Sequence, residues 1–243
     1  MVGTSKIRFE NVNLTRGNQF FSIDDNPGDT DLSVRFEHFK LGNLISYFNP
    51  DTLLATGILN GQVRVEEPLG DAGLVADLRI DSFRVLDVDM GRLELNGLTE
   101  DAKNYEADLV LQGGEVDLEL TGEYHAIEDD AEIALDLRID TIKMTAVEYF
   151  SAGALKDSVG YITGRAEARG LMSDLSYDGQ IHFNQAKTTP VLLNTSFSLG
   201  TQAIEFNNEG IVFQNFTVSD AEENQFVVDG NINTSNLYNP AFD

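Results

Sequence analysis

The stretch EVDLELTGEY (residues 115–124) alternates apolar and polar side chains, and much of the chain follows the same pattern. Successive side chains of an extended strand point to opposite faces, so Val116, Leu118 and Leu120 fall on one side and Asp117 and Glu119 on the other. EIALDLRID puts Ile133, Leu135, Leu137 and Ile139 opposite Ala134, Asp136, Arg138 and Asp140. GLVADLRID does the same with Leu74, Ala76, Leu78 and Ile80. Ile204 with Phe206, and Phe226 with Val228, carry the pattern to the C-terminal part. Strands with one dry and one wet face belong to antiparallel or solenoidal sheets, so the chain is expected to be all-β.

Turn-forming pairs punctuate the alternation: Asn26-Pro27-Gly28, Asn60-Gly61, Asn96-Gly97, Gly113-Gly114 and Asp229-Gly230. Two segments depart from period two. LGNLISYFNPDTLL (41–54) and KMTAVEYFSAGALKDS (143–158) read at helical spacing, with Met144, Val147, Phe150 and Ala154 on one stripe. Pro50 ends or kinks the first. Short amphipathic helices are suited to covering a sheet edge or end, a role expected of Met144, Val147 and Phe150 and of Tyr47 and Phe48. Set over each other, SYF (46–48) and EYF (148–150) align the text on both sides. After a one-residue slip Gly57 meets Gly160 and Gly61 meets Gly164. Two diverged repeats, about 31–97 and 133–200, within a single elongated body over 1–243 are the expected organisation.

The apolar face must be covered. At 42% hydrophobic residues the chain can build a core. Burying one Leu, Ile or Phe is worth about 1.5–3 kcal/mol, so a whole face of them does not stay in water without reason. Either two sheets cover each other, or a ligand covers a single curved one. The charge narrows the choice of ligand. With 16 Lys and Arg against 41 Asp and Glu the net charge is −25, which repels phosphate-rich partners. No basic cluster exists to displace counterions from nucleic acid, so no nucleic-acid partner is expected. Docking to anionic headgroups is disfavoured for the same reason.

Catalytic and metal motifs are missing. Cysteine is absent, which excludes disulfides, zinc-thiolate sites and cysteine catalysis. His38, His125 and His182 stand far apart and read as strand or surface residues rather than ligands. There is no nucleophile elbow, phosphate-binding loop or dinucleotide fingerprint. DDNPGDTD (24–31) is rich in oxygen ligands but lacks the register and closing Glu of a calcium loop, and reads as a solvated turn. EDDAE (128–132) reads as a hairpin tip. The expectation is therefore a non-enzyme without cofactor or metal, whose dry face is lined by Leu74, Leu78, Ile80, Val116, Leu118, Leu120, Ile133, Leu135, Leu137, Ile139, Ile204, Phe206, Phe226 and Val228. No stretch is long and apolar enough for a membrane helix, and no secretory leader is evident at the N-terminus. MVGTS and NPAFD read as the ends of a piece of a longer protein.

The C-terminal third, from YITGRAEARG through DLSYDGQIHFNQA and TPVLLNTSFSLGTQAIEFNNEGIVFQNFTVSD to ENQFVVDGNINTSNLYNPAFD, resembles the TamB family of AsmA-like envelope proteins. Residues 31–97 look like a more diverged copy of the same unit. The resemblance implies a curled, taco-like β-groove with an apolar interior and two short helices. It implies a segment of a periplasmic conduit, anchored in the inner membrane in the full-length protein of a Gram-negative bacterium. Phospholipid acyl chains would be its cargo and a BamA-like outer-membrane protein of the TamA type its partner, in support of outer-membrane biogenesis. The family brings no catalytic residues. Two alternatives stay open: a chaperone-like scaffold that holds outer-membrane strands by their edges, and a structural β-solenoid with a packed interior. An outer-membrane barrel fits poorly with the absence of Trp and the acidic wet face.

Overall fold

A computed structural model describes residues 12–25, 31–48, 54–66, 73–101, 103–233 and 241–242. The strands are β1 (Val12–Arg16), β2 (Gln19–Asp25), β3 (Leu32–Lys40), β4 (Ala55–Glu66) and β5 (Gly73–Val85). Then come β6 (Val88–Asp101), β7 (Asn104–Gln112), β8 (Val116–Ala126), β9 (Ala131–Lys143) and β10 (Leu155–Leu171). The series closes with β11 (Asp174–Pro190), β12 (Phe197–Asn207), β13 (Gly210–Ser219), β14 (Gln225–Asn233) and β15 (Ala241–Phe242). Helix α1 (Leu41–Phe48) joins β3 to β4, and α2 (Met144–Phe150) joins β9 to β10. The strands form one antiparallel sheet in sequence order. It is curled and elongated and does not close on itself. The expected all-β class with two short helices is the class observed.

Up-and-down order puts both helices at the same end of the strands, where the turns 86–87, 113–115, 191–194 and 220–224 also lie. The segments 31–97 and 133–200 share one order of elements: strand, helix, then a hairpin of long strands. The second helix is shorter than the sequence suggests; of the first segment α1 is described to Phe48, and residues 49–53, with Pro50, lie outside the described residues. α2 stops at Phe150, where Ser151 Oγ donates to the carbonyl of Glu148 (2.6 Å) and accepts from the amide of Leu155 (3.0 Å). The chain is thereby turned straight into β10.

The turn pairs need correction. Gly113-Gly114 is indeed a turn, and Asn26-Pro27-Gly28 lies outside the described residues. Asn60-Gly61, Asn96-Gly97 and Asp229-Gly230 sit inside β4, β6 and β14. Two of them anchor β-bulges instead. His38, at φ 49° in the register shift of β3, donates its amide to Asn60 Oδ1 (2.8 Å). Asn215, at φ 49° in the register shift of β13, donates its amide to Asp229 Oδ1 (2.7 Å). A bulge leaves one residue out of the ladder, and a short polar side chain on the next strand takes up its N–H. Gly61 has φ +122°, and a Cβ there would stand 2.0 Å from the carbonyl oxygen of Asp77, so only glycine lets β5 approach. Asn-Gly and Asp-Gly thus serve close packing here rather than reversal.

Candidate functional site: the apolar face of the sheet

In an antiparallel sheet directly paired residues present their side chains on the same face. Following the pairs from β1, one row reads Leu14, Phe21, Phe36, Gly61, Leu78 and Leu95. It continues through Leu109, Leu120, Leu137, Ala166 and Gly179. It ends on Phe206, Ile211 and Ile232 of β12, β13 and β14. Every position is apolar or glycine. A second row, nearer the helices, runs from Phe39 and Leu59 through Ile80, Leu93 and Leu111. Leu118, Ile139, Gly164, Ile181 and Ile204 extend it. The opposite face is polar along a comparable row: Asn13, Ser22, Arg35, Gln62, Asp77 and Asn96 lead to Asp108, Thr121, Asp136, Glu167 and Asp178.

The apolar side is the inside of the curl. Past the end of β7 at Gln112, the β7–β8 turn lies along the start of β6, and Glu115 there donates its amide to the carbonyl of Asp89 (2.8 Å). At that place Met90, Leu111 and Val116, from three successive strands, are buried in one cluster. Phe183 of β11 and Phe216 of β13 likewise meet over β12, ring centroids 5.8 Å apart.

α2 covers part of this inner face. Ala146 is fully buried and Met144 nearly so, in or beside the cluster of Val88, Met90, Leu111 and Val116. The expected helical stripe is therefore corrected. Met144 packs inward and Val147 is half-buried, but Phe150 and Tyr149 are exposed and Ala146 carries the contact. Seven residues make two turns, and the turn that launches β10 points the last two rings outward. At the start of α1 Leu41 is buried, and on β2 and β3 Phe21, Phe36 and Phe39 form a ring triad with centroids 5.4 to 6.0 Å apart. The side chains of Tyr47 and Phe48 lie outside the described residues.

Away from the helices the face is open. Leu78, Ile80, Leu120, Ile133, Leu135, Leu137, Ile139, Ile204 and Phe206 are half-buried, as is Leu118, which packs against the cluster under α2. Val116 is buried under α2, whereas Leu74 (38% exposed), Phe226 (56%) and Val228 (42%) are the most exposed of the set. The pairings connect the middle of the set directly: Leu118 with Ile139, Leu120 with Leu137, and Tyr124 with Ile133. Leu93, Leu95, Leu109 and Leu111 belong to the same rows, and their signal, the alternation in GRLELNG and ADLVLQ, was readable. The α2 contacts of Val88 and Met90 had none, being set by the hairpin Leu86-Asp87.

The polar face is ionic. Arg138 bridges Glu119 (2.9 Å) and Asp140 (3.1 Å), and Arg169 bridges Asp136 (2.9 Å). Partial burial alone would raise the Asp81 carboxyl, but hydrogen bonds and charge from Arg79 and Arg92 outweigh it and hold it below its usual range. A cleft of about 740 Å³ opens beside Asp81, Arg84, Asp89 and Arg92. Its arginines are spent on Asp81 and on the carbonyl of Asp87. Among the described residues no three His, Asp or Glu side chains are arranged to hold a metal ion, and residues 26–30 of the acidic turn lie outside them. His38, His125 and His182 are exposed and scattered over β3, β8 and β11.

The molecule is thus an open, one-sided antiparallel sheet with a concave apolar face and two short capping helices. No family model, curated protein or solved structure matches this chain.

Proposed function

We propose that the concave face is a groove for lipid acyl chains, and that the chain is a segment of a conduit of the TamB type between two membranes. The observation that carries this reading is the unbroken apolar row from Leu14 to Ile232, which crosses fourteen strands without a charged side chain. A packed core does not need such continuity, whereas a path for a hydrocarbon chain does. The partly exposed leucines also forgo at most about a third of the 1.5–3 kcal/mol each would gain by full burial, a gain an acyl chain would restore. The resemblance of the C-terminal third supports the periplasmic setting, the phospholipid cargo and the outer-membrane partner. The acidic outer face keeps the segment soluble and disfavours adhesion to anionic headgroups.

The test is extraction of lipid from the purified protein, with Leu135→Lys as the decisive variant. Leu135 is half-buried on the open part of the face, away from α2, so its ammonium can reach water and the fold should survive. Bound lipid and photo-crosslinking to acyl chains should fall at least several-fold. Glu123→Lys, exposed on the outer face of β8, is the control and should change neither. A folded Leu135→Lys protein with undiminished lipid would refute the groove. One feature favours a second reading, the holding of extended polypeptide: β14 presents Phe226, Val227 and Val228 at 42–58% exposure near the edge of the sheet. Capture of an unfolded outer-membrane strand that Val227→Pro abolishes would support it.

A further inference from the structure

We infer that β13 and β14 form a flap hinged on β12, with the Gln202 side chain as its latch. Most of the sheet is held by continuous ladders; β8 and β9, for instance, pair from Val116–Ile142 to Ala126–Ala131 with one register shift. The ladder between β12 and β13 is split. Three rungs lie next to the hairpin turn, Glu205–Val212, Phe206–Ile211 and Asn207–Gly210, and one lies at the far end, Ser198–Ser219. Between them no residues pair. Gly200 (φ 61°) and Asn215 (φ 49°) turn the two backbones out of register on either side of the gap.

Gln202 spans that gap by imitating a peptide group. Its Oε1 accepts from the amide of Thr217 (2.7 Å), and its Nε2 donates to the carbonyls of Thr217 and Leu199. A side-chain amide offers the same donor and acceptor as a backbone rung, but it hangs on rotatable bonds and fixes the strands less firmly. β13 and β14 are tied to each other more fully, by eight pairs and by the Asn215–Asp229 hydrogen bond, so they should move together. Opening would break the Gln202 bridge and the Ser198–Ser219 rung, pivot on the three rungs by the turn, and lift Phe216, now 7% exposed, off Phe183. These two rings lean together across the concave face, so the flap would set the width of the groove at this end. That last role rests on the lipid-groove reading; the flap itself does not, and its test involves no lipid.

Native-state hydrogen exchange measures the opening. Amides of β13 and β14 should exchange as one block, about tenfold or more faster than those of β8 and β9. Gln202→Ala should speed that block about tenfold again and leave β8 and β9 unchanged. The chain has no cysteine, so Ser198→Cys with Ser219→Cys can be oxidised cleanly. Directly paired strand residues lie within disulfide range. The oxidised form should slow the block, and reduction should restore its exchange. Protection of β13 and β14 equal to that of β8 and β9 in the native chain would overturn the flap, as would a disulfide without effect. If Gln202→Ala accelerates the whole molecule equally, Gln202 is a general stabilising group and the latch is wrong.

Discussion

The middle of the sheet and its C-terminal arm are made of the same kind of strand, yet they are held in different ways. In β5–β9 the concave face is roofed by α2. Val88, Met90, Leu111, Val116 and Ala146 are all at most 8% exposed, and Lys143 donates its amide back to Glu115 (2.9 Å) to fix the helix over them. In β12–β14 no helix among the described residues roofs the face. Phe216 meets Phe213 and, on β11, Phe183 edge to face, one ladder is split, and Phe226 and Val228 are exposed. Period-two alternation makes a curled sheet, but rigidity comes from what covers the concave side. Stability should therefore be concentrated under α2 and mobility in the arm.

The largest expected effect breaks the covered region. Val88 is 2% exposed inside the α2 cluster. Val88→Asp would bury a carboxylate without a partner, at a cost of about 4 kcal/mol or more. Phe226→Asp, the same kind of change on β14, should cost within about 0.5 kcal/mol, because the ring is already more than half exposed. Urea or thermal unfolding followed by far-ultraviolet circular dichroism compares the two. Similar losses would mean that the arm is as integral as the middle.

The same contrast shows what the sequence could reveal. Alternation is local, so the strands, their dry faces and membership of that face for Leu118, Leu120, Leu135 and Leu137 were legible. What could not be read depends on partners distant in the chain. Ala146 reads as an ordinary helical residue and is fully buried only because the Leu86-Asp87 hairpin brings Val88 beneath it. Phe150 continues the apolar stripe but faces outward because Ser151 turns the chain into β10. Asn60-Gly61 and Asp229-Gly230 carry strong turn chemistry. The long ladders on either side override it, and the Asn and Asp side chains serve bulges instead. Gln202 shares the parity of Ile204 and Phe206, so alternation puts this polar side chain on the dry face, but the partner it bridges to, Thr217, is set by the split ladder and had no local signal.

A second test sharpens the comparison with one chemical change in two places. A Cβ on Gly61 of β4 would meet the carbonyl of Asp77 at 2.0 Å, and a Cβ on Gly210 of β13 would meet that of Ile232 at 2.0 Å. Both have positive φ, +122° and +147°. Alanine should therefore strain each backbone alike, by about 1–3 kcal/mol. Gly61→Ala lies in the main body and should lower the global melting temperature by several degrees. Gly210→Ala should instead appear as faster hydrogen exchange in β13 and β14, with little change in global melting. Equal shifts in melting temperature would place both glycines in one cooperative unit.

The smallest expected effect is electrostatic. Glu115, under the covered region, accepts from the Thr145 hydroxyl and from Lys143 Nζ (3.2 Å), which hold its carboxyl below the ordinary 4.5 despite partial burial. Asp220 shapes the β13–β14 turn by accepting from Asn224 Nδ2 (2.8 Å) and from the amides of Glu222 (2.8 Å) and Asn224 (2.9 Å). Led by the Asn224 side chain, these bonds hold it below 3.8. A carboxyl with a lowered folded pKa binds its proton more readily when unfolded. Its stabilisation is complete above the unfolded value and disappears as pH falls through the folded one. Over the same range the repulsion within a chain of net charge −25 is relieved, so the raw stability curve mixes two opposing trends. Comparison with Glu115→Gln separates them, because that variant shares nearly all of the repulsion. At pH 6 the native protein should melt about a degree or two above Glu115→Gln, and by pH 3 the gap should close. Asp220→Asn should show no such gap in global melting. Its loss should be confined to the exchange of β13 and β14, with the same disappearance in acid. A Glu115→Gln gap that does not depend on pH would mean that the side chain acts by packing rather than by charge.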